Sequence, residues 1–196
     1  FSLFPILFAN PSFAESIEIT SFGHSSLLIK GGGKKVLLNP FKAVGCAEGL
    51  REPKIDADLI LASSKLSDEG AKLAKGTFFV EPGSYQVGNF RLEGLSIPHD
   101  RLGGRRYGMS TIWIWEQNGF KFAHIGGSAA PLSVEDKLII GRPDIMIIGV
   151  GGGAKVYNGP EAADIIKDLK PKIIIPVQYI RNLNSPPKEC DQTDLQ

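Results

Sequence analysis

The apolar run Leu59-Ile-Leu-Ala62 has strand character and empties into a polar loop, Ser63-Ser-Lys-Leu-Ser-Asp-Glu69. In α/β folds the loop at the carboxyl end of a strand is where ligands sit, so hydroxyls and carboxylates there invite a chemical reading. Ser63 or Ser64 becomes a nucleophile when a base lies beside it. His99 is the candidate base, but the sequence supplies no third group for a triad. The same loop also reads as a helix N-cap, because Ser and Asp side chains accept from the free amides of a first turn. Gly151-Gly-Gly153 lies between a strand and a helix, where backbone amides can cradle an anion. It lacks the Gly-Lys-Ser/Thr ending of a phosphate loop, so tight turning is the better reading. Arg105 and Arg106 could meet a small anion in a nearby pocket. His24 and His124 read as hydrogen-bonded structural residues rather than ligands.

The elements that must position these groups follow from periodicity. Ile17–Phe22, Ser26–Ile29 and Val36–Leu38 read as strands joined by turns at Gly23-His24 and Gly31–Gly33. A helix is expected from Asp68 to about Lys75, then short strands at Phe78–Val80 and Gln86–Leu95. Met109–Gln117 and Phe120–Ile125 form a hairpin through Asn118-Gly119, the strongest turn signal in the chain. Val134–Ile139 allows one or two helical turns, and Pro160–Leu169 is a helix with Pro160 in its first turn. The runs 59–62, 145–150 and 173–177 are apolar on both faces, as in strands buried on both sides. Trp113 and Trp115 alternate along a strand and are explained by core or interface packing. Two mixed sheets packed face to face with helices outside, an αββα sandwich, accommodate all of these.

The 196 residues suit one domain spanning 15–196, and 42% hydrophobic with 22% charged residues gives a real core. A net charge of +1 without long basic runs argues against a nucleic-acid surface. Phe1–Ala9 is almost wholly apolar and Ser12-Phe13-Ala14 offers a small-residue cleavage site, so residues 1–14 read as the remnant of a signal peptide. That run is far below the ~20 residues needed to span a bilayer, so membrane association would come only through a partner or an uncleaved N-terminus. The C-terminus reads as truncated, ending on a helix start at residues 191–196. Export would place Cys46 and Cys190 where disulfides are permitted, with their pairing left open.

Several motifs stand in a telling order: Phe22-Gly-His-Ser-Ser-Leu-Leu-Ile29, Val36-Leu-Leu-Asn-Pro-Phe41, Ile97-Pro-His99, Phe122-Ala-His-Ile-Gly-Gly-Ser128, and Pro143–Gly153 followed by Lys170–Tyr179. Together they resemble the metallo-β-lactamase superfamily, in its ascorbate-6-phosphate-lactonase-like branch of predicted metal-dependent hydrolases. The likeness runs from Ile17 to about Ile180. Asn39 stands where the branch has an aspartate. The resemblance implies that the family's His-x-His-x-Asp-His motif falls on Ser64, Leu66, Asp68 and Glu69. A later metal histidine falls on His99, the bridging aspartate on Gly127, and the final histidine on Gln178. Asp68 and His99 keep the pattern, and the other five depart from it.

A catalytic zinc takes three protein ligands and an open position, which Asp68 and His99 alone do not supply. Asp68, Glu69 and His99 form the residual set. The departures imply a non-catalytic domain without a metal cofactor, acting as a structural or regulatory subunit among other protein subunits. An exported chain of this kind would suit a thylakoid lumen or periplasm. Two alternatives are a hydrolase of a small ester, lactone or phosphoester using zinc or another divalent metal, and a small-anion binder reusing the pocket.

Overall fold

The computed structural model describes residues 16–181 and 184–193. The stretch read as a signal-peptide remnant, residues 1–14, lies outside them. Five strands form the first sheet: β1 (Glu18–Gly23), β2 (Ser26–Gly31), β3 (Lys34–Leu38), β4 (Leu59–Leu61) and β5 (Thr77–Phe79), in that order. The first three pair antiparallel, and β3, β4 and β5 run parallel. The second sheet holds β6 (Gly83–Val87), β7 (Phe90–Pro98), β8 (Met109–Gln117), β9 (Phe120–His124), β10 (Ile145–Gly149) and β11 (Ile173–Val177), in the order β11-β10-β9-β8-β7-β6. Helix α1 (Val134–Ile140) connects β9 to β10, and α2 (Gly159–Leu169) connects β10 to β11. Ser133 with Asp136, and Asn158 with Glu161, form capping boxes that satisfy the free amides at the two helix starts.

Strand alternation fixes the layers. Leu27, Ile29, Val36, Leu38, Leu59 and Leu61 face inward and pack against Leu92, Trp113, Trp115, Phe122 and Ile147 of the other sheet. Shifted by one residue, Leu28, Leu37 and Ile60 face out toward Phe22, Ile55 and Phe78. Ile112, Ile114, Met146 and Ile148 form the outer face of the second sheet, covered by Ile140 of α1 and Ala162, Ile165 and Leu169 of α2. The sandwich of two mixed sheets in a metallo-β-lactamase-like α/β fold therefore stands, with both α-helices of the described residues on the outer face of the second sheet. Both tryptophans serve the core: Trp115 stacks on Phe122 at 4.8 Å, and Trp113 Nε1 donates to the Ala62 carbonyl at 2.9 Å.

Three expected elements differ. Residues 68–75 hold the end of a turn at Glu69 and then irregular chain, not a helix, because the chain leaves helical pairing after one turn. Gly70 N donates to Leu66 O at 2.8 Å, but Ala71 N then donates to Pro40 O at 2.7 Å. Among the described residues, irregular segments therefore cover the outside of the first sheet. The run 86–95 is split between β6 and β7 by a turn in which Gly88 adopts φ 62°. Finally, β11 is an edge strand, with Ile173 50% and Ile174 42% exposed. Pro176 carried that signal, since a residue without an amide proton is tolerated at a sheet edge.

Cys46 and Cys190 are joined in a disulfide across a sequence separation of 144, tying the 3-10 turn Gly45–Ala47 to the C-terminal segment. Closing so long a loop restricts the unfolded chain, and such bridges contribute about 2–5 kcal/mol. Replacing both cysteines with serine is expected to lower the urea-unfolding free energy by that amount. A midpoint unchanged between the two proteins would count against it. The edge position of β11 makes a second prediction. Ile147→Asp, an unpaired charge between the sheets, should abolish the cooperative melt, whereas Ile174→Asp should cost no more than about 1 kcal/mol.

Candidate metal centre

Glu69 has no exposed surface, so its carboxylate must find every partner inside the protein. The loop after β4 brings it between the sheets, at the carboxyl ends of β4, β7, β10 and β11. Ser64 Oγ donates to its Oε2 at 3.1 Å, and His99 Nε2 donates to the same oxygen at 3.1 Å. Gln178 Nε2 donates to Oε1 at 2.9 Å, and Lys155 Nζ lies 3.7 Å from that oxygen. Burial pushes the Glu69 carboxyl up, but His99 and Lys155 outweigh it and hold the group well below the usual carboxylate range. For His99 burial pulls downward, and the Glu69 carboxylate overcomes it and raises the imidazole.

Asp68 lies beside this group, its side chain 12% exposed. Lys155 Nζ donates to its Oδ2 at 2.5 Å, and His24 Nε2 stands 3.8 Å from the same oxygen. Burial lowers the Lys155 ammonium, but Glu69 and Asp68 raise it further than burial lowers it. His24 sits in the turn between β1 and β2 with its side chain 1% exposed. Burial lowers its pKa against the pull of Glu69 and Asp68, which favours the neutral imidazole that ligates metals. Among the described residues its Nε2 has no hydrogen-bond partner.

One ligand atom each from His24, Asp68 and Glu69 lie within 4.8 Å of one another. An imidazole and two carboxylates suit zinc and the harder divalent ions such as manganese, and three protein ligands leave a position open. A buried imidazole nitrogen without a partner, facing two carboxylates, is the kind of atom a cation satisfies. The donor set therefore fits a divalent metal.

Backbone strain marks the same place. His24 (φ 48°), Asn39 (φ 40°) and Gln178 (φ 54°) are left-handed without being glycine, at a cost of about 1–2 kcal/mol each. Asn118 in its hairpin turn and Lys170 capping α2 are ordinary sites for that conformation. The three strained residues are held by hydrogen bonds around the centre. Asn39 Nδ2 donates to Ser25 Oγ at 3.1 Å and to Ser63 Oγ at 2.6 Å, and Gln178 N donates to His24 O at 2.9 Å.

Most of the residues singled out in the sequence do converge. Ser64, Glu69, His99 and Gln178 form one cluster, and Gly127 borders it. A Cβ on Gly127 would fall 2.7 Å from His99 Cε1 and would collide with the Glu69 carboxylate. The missing carboxylate at 127 thus leaves room for the one at 69. Leu66 contributes only its backbone, through Glu69 N and Gly70 N. His99 does not join the three-donor group; it orients Glu69, and His24 takes its place. Ser63 is bound to Asn39 and the Ser64 proton points to Glu69, so no serine–histidine nucleophile forms. Arg105 and Arg106 are exposed, one on the Leu102 carbonyl and the other over the Tyr107 ring. Neither His24 Nε2 nor either His124 nitrogen has the hydrogen bond expected of a structural histidine, and burial holds His124 down to about 4. Lys155 was missed altogether; its signal was a lysine just after Gly151–Gly153 at the end of a strand. Beside the cluster opens a cleft of about 340 Å³ lined by Ser64, Leu66, Pro82, Tyr107, Met109 and Thr111 among others.

The beta-lactamase superfamily domain matches residues 18–178. A UPF0173 metal-dependent hydrolase of Thermus thermophilus is 25% identical over 194 residues, covering 83% of this chain and 84% of that protein. One from Thermococcus onnurineus is 23% identical with the same coverage. A solved structure from Thermotoga maritima, assigned to the metallo-beta-lactamase superfamily, is 26% identical with a TM-score of 0.68, covering 86% of this chain and 78% of that one. The metallo hydrolase Igni18 of Ignicoccus hospitalis shares the fold at 16% identity and TM-score 0.61, covering 84% of this chain and 83% of its own.

These findings correct the expectation of a metal-free, non-catalytic subunit. The relatives carry the name of metal-dependent hydrolases, and His24 completes a donor set that the family's usual positions leave short. The same findings overturn the expected lack of a cofactor: the relatives are metal-dependent hydrolases by name, and His24, Asp68 and Glu69 form a donor set that fits a divalent ion. The description as a pseudoenzyme falls too, since the relatives are hydrolases by name. From its fold and the match across residues 18–178, the chain belongs to the beta-lactamase superfamily, in the metallo-β-lactamase fold.

Proposed function

We propose that this chain is a metal-dependent hydrolase acting on a small ester, lactone or phosphoester. The convergence of His24, Asp68 and Glu69 within 4.8 Å, with His24 Nε2 unpartnered, carries the reading. The names of the relatives support it. Bound by these three residues, a divalent ion would polarise a carbonyl or phosphoryl oxygen and make water a better nucleophile at neutral pH. The protein's own groups set the scene for that chemistry. Gln178 and Ser64 fix the Glu69 carboxylate by direct hydrogen bonds, and His99 holds Oε2 while Lys155 lies nearest Oε1. Burial of His24 lowers its pKa and so favours the neutral imidazole, which has a lone pair to donate. The neighbouring cleft is of a size for a small substrate, and Tyr107 and Met109 form part of its wall.

Dialysis against zinc or manganese followed by elemental analysis should leave stoichiometric metal on the chain. Chelation should then remove turnover of p-nitrophenyl acetate, bis(p-nitrophenyl) phosphate or a simple lactone. At free metal a hundredfold above Kd the folded state gains about 2.7 kcal/mol, or roughly 5–10 °C in Tm for a domain of this size. His24→Ala should lower metal occupancy at least about tenfold. A protein that takes up no ion and has no chelator-sensitive turnover would refute the reading. Glu69→Gln leaves His99 and Lys155 facing an uncharged amide and should cost about 3–5 kcal/mol of stability, read by chemical denaturation.

A further inference from the structure

One cation already stands at this centre. Lys155 Nζ donates to Asp68 Oδ2 at 2.5 Å and lies 3.7 Å from Glu69 Oε1. These are two of the three groups that would hold the metal. The lysine side chain is only 13% exposed, so solvent screens it little. Its ammonium also lies 5.9 Å from the centre of the Tyr107 ring.

The loop that carries Lys155 is fastened on both sides. Asp191 Oδ2 accepts from Ala154 N at 2.7 Å. Arg101 donates to the carbonyls of Gly153 at 2.8 Å and Val156 at 3.3 Å, and itself pairs with Glu161 at 2.5 Å. Gly152 N donates to Tyr157 O at 2.8 Å, and the next residue along from Lys155, Val156, is fully buried. A lysine on a loop held this way is a built part of the centre.

Charge then limits what else can enter. Asp68 and Glu69 bring two negative charges, and the Lys155 ammonium beside both offsets one of them. A dication entering there must share these carboxylates with an ammonium that already stands beside them. We propose that Lys155 acts as the resident second cation of this centre, restricting it to one divalent ion and holding down the affinity for that ion. This inference rests on the reading of His24, Asp68 and Glu69 as the metal-binding group.

The test is a zinc titration of the full chain against a chelating dye, with elemental analysis, for wild type, Lys155→Met and Lys155→Arg. Wild type should take up one ion. Lys155→Met, which keeps the length and removes the charge, should bind zinc at least about tenfold more tightly. Lys155→Arg, which keeps the charge, should stay within about threefold of wild type. If Lys155→Met folds only when zinc is present, that also supports the proposal, since the ion then replaces the missing charge. Two ions on wild type, Lys155→Met binding no more tightly, or Lys155→Arg binding at least tenfold more tightly would each overturn it. Absence of zinc from all three proteins would instead overturn the metal-binding reading beneath it, because Lys155→Met has no competing cation.

Discussion

A carboxylate sealed between two β-sheets governs the architecture around it. Glu69 has no exposed surface, and an unpaired charge in that position costs several kcal/mol. Its partners come from the ends of four different strands. Ser64 follows β4, His99 follows β7, Lys155 lies in the loop after β10, and Gln178 follows β11. Satisfying one side chain thus ties the first sheet to both halves of the second. Gln178 adds a backbone link, its amide bonding the His24 carbonyl across the sheets. Networks of this kind are worth more when complete than their pairs suggest, and they fail badly when one member is missing. The left-handed backbones of His24 and Gln178 are tied to this network, and that of Asn39 to the neighbouring Ser25 and Ser63 hydroxyls.

Much of the fold was legible because apolar alternation has only one period in a strand. Leu27, Ile29, Val36 and Leu38 announce an inward face, and Asn118-Gly119 places the β8–β9 hairpin at its observed bounds. Where reading failed, a distant contact decided the local outcome. The polar stretch after Asp68 is compatible with a helix, but Pro40 O captures the Ala71 amide and the helix does not continue. The apolar run Ile173–Val177 marks a strand but does not show that its outer edge lacks a neighbouring strand among the described residues. The Cys46–Cys190 bridge belongs to the same class: two cysteines with a sequence separation of 144 meet only once the tertiary fold is known.

The site divides along the same line. Position-by-position comparison finds Asp68, Glu69, His99 and Gln178 because each occupies a place with a known role. It cannot find His24 or Lys155, whose contributions depend on where neighbouring loops bring them. His24 lies in a turn that looks structural, and only its depth and its unpartnered Nε2 reveal a donor. Lys155 lies far from Asp68 in sequence, and the 2.5 Å contact between them exists because Arg101 and Asp191 fix its loop.

Gly127 and Glu69 show why counting absent ligands misleads. The glycine looks like the plain loss of a central carboxylate, and the glutamate like the plain loss of a histidine. In space they are one change. Any side chain at 127 would meet the Glu69 carboxylate and approach His99 Cε1 to 2.7 Å, so the longer acid at 69 can reach the middle of the cluster only when 127 is bare. The negative charge at the centre is retained and enters from the other sheet. Two groups match that charge, His99 on Oε2 and Lys155 near Oε1. Electrostatic balance around a buried carboxylate, more than the identity of residues at fixed positions, is what this centre has kept.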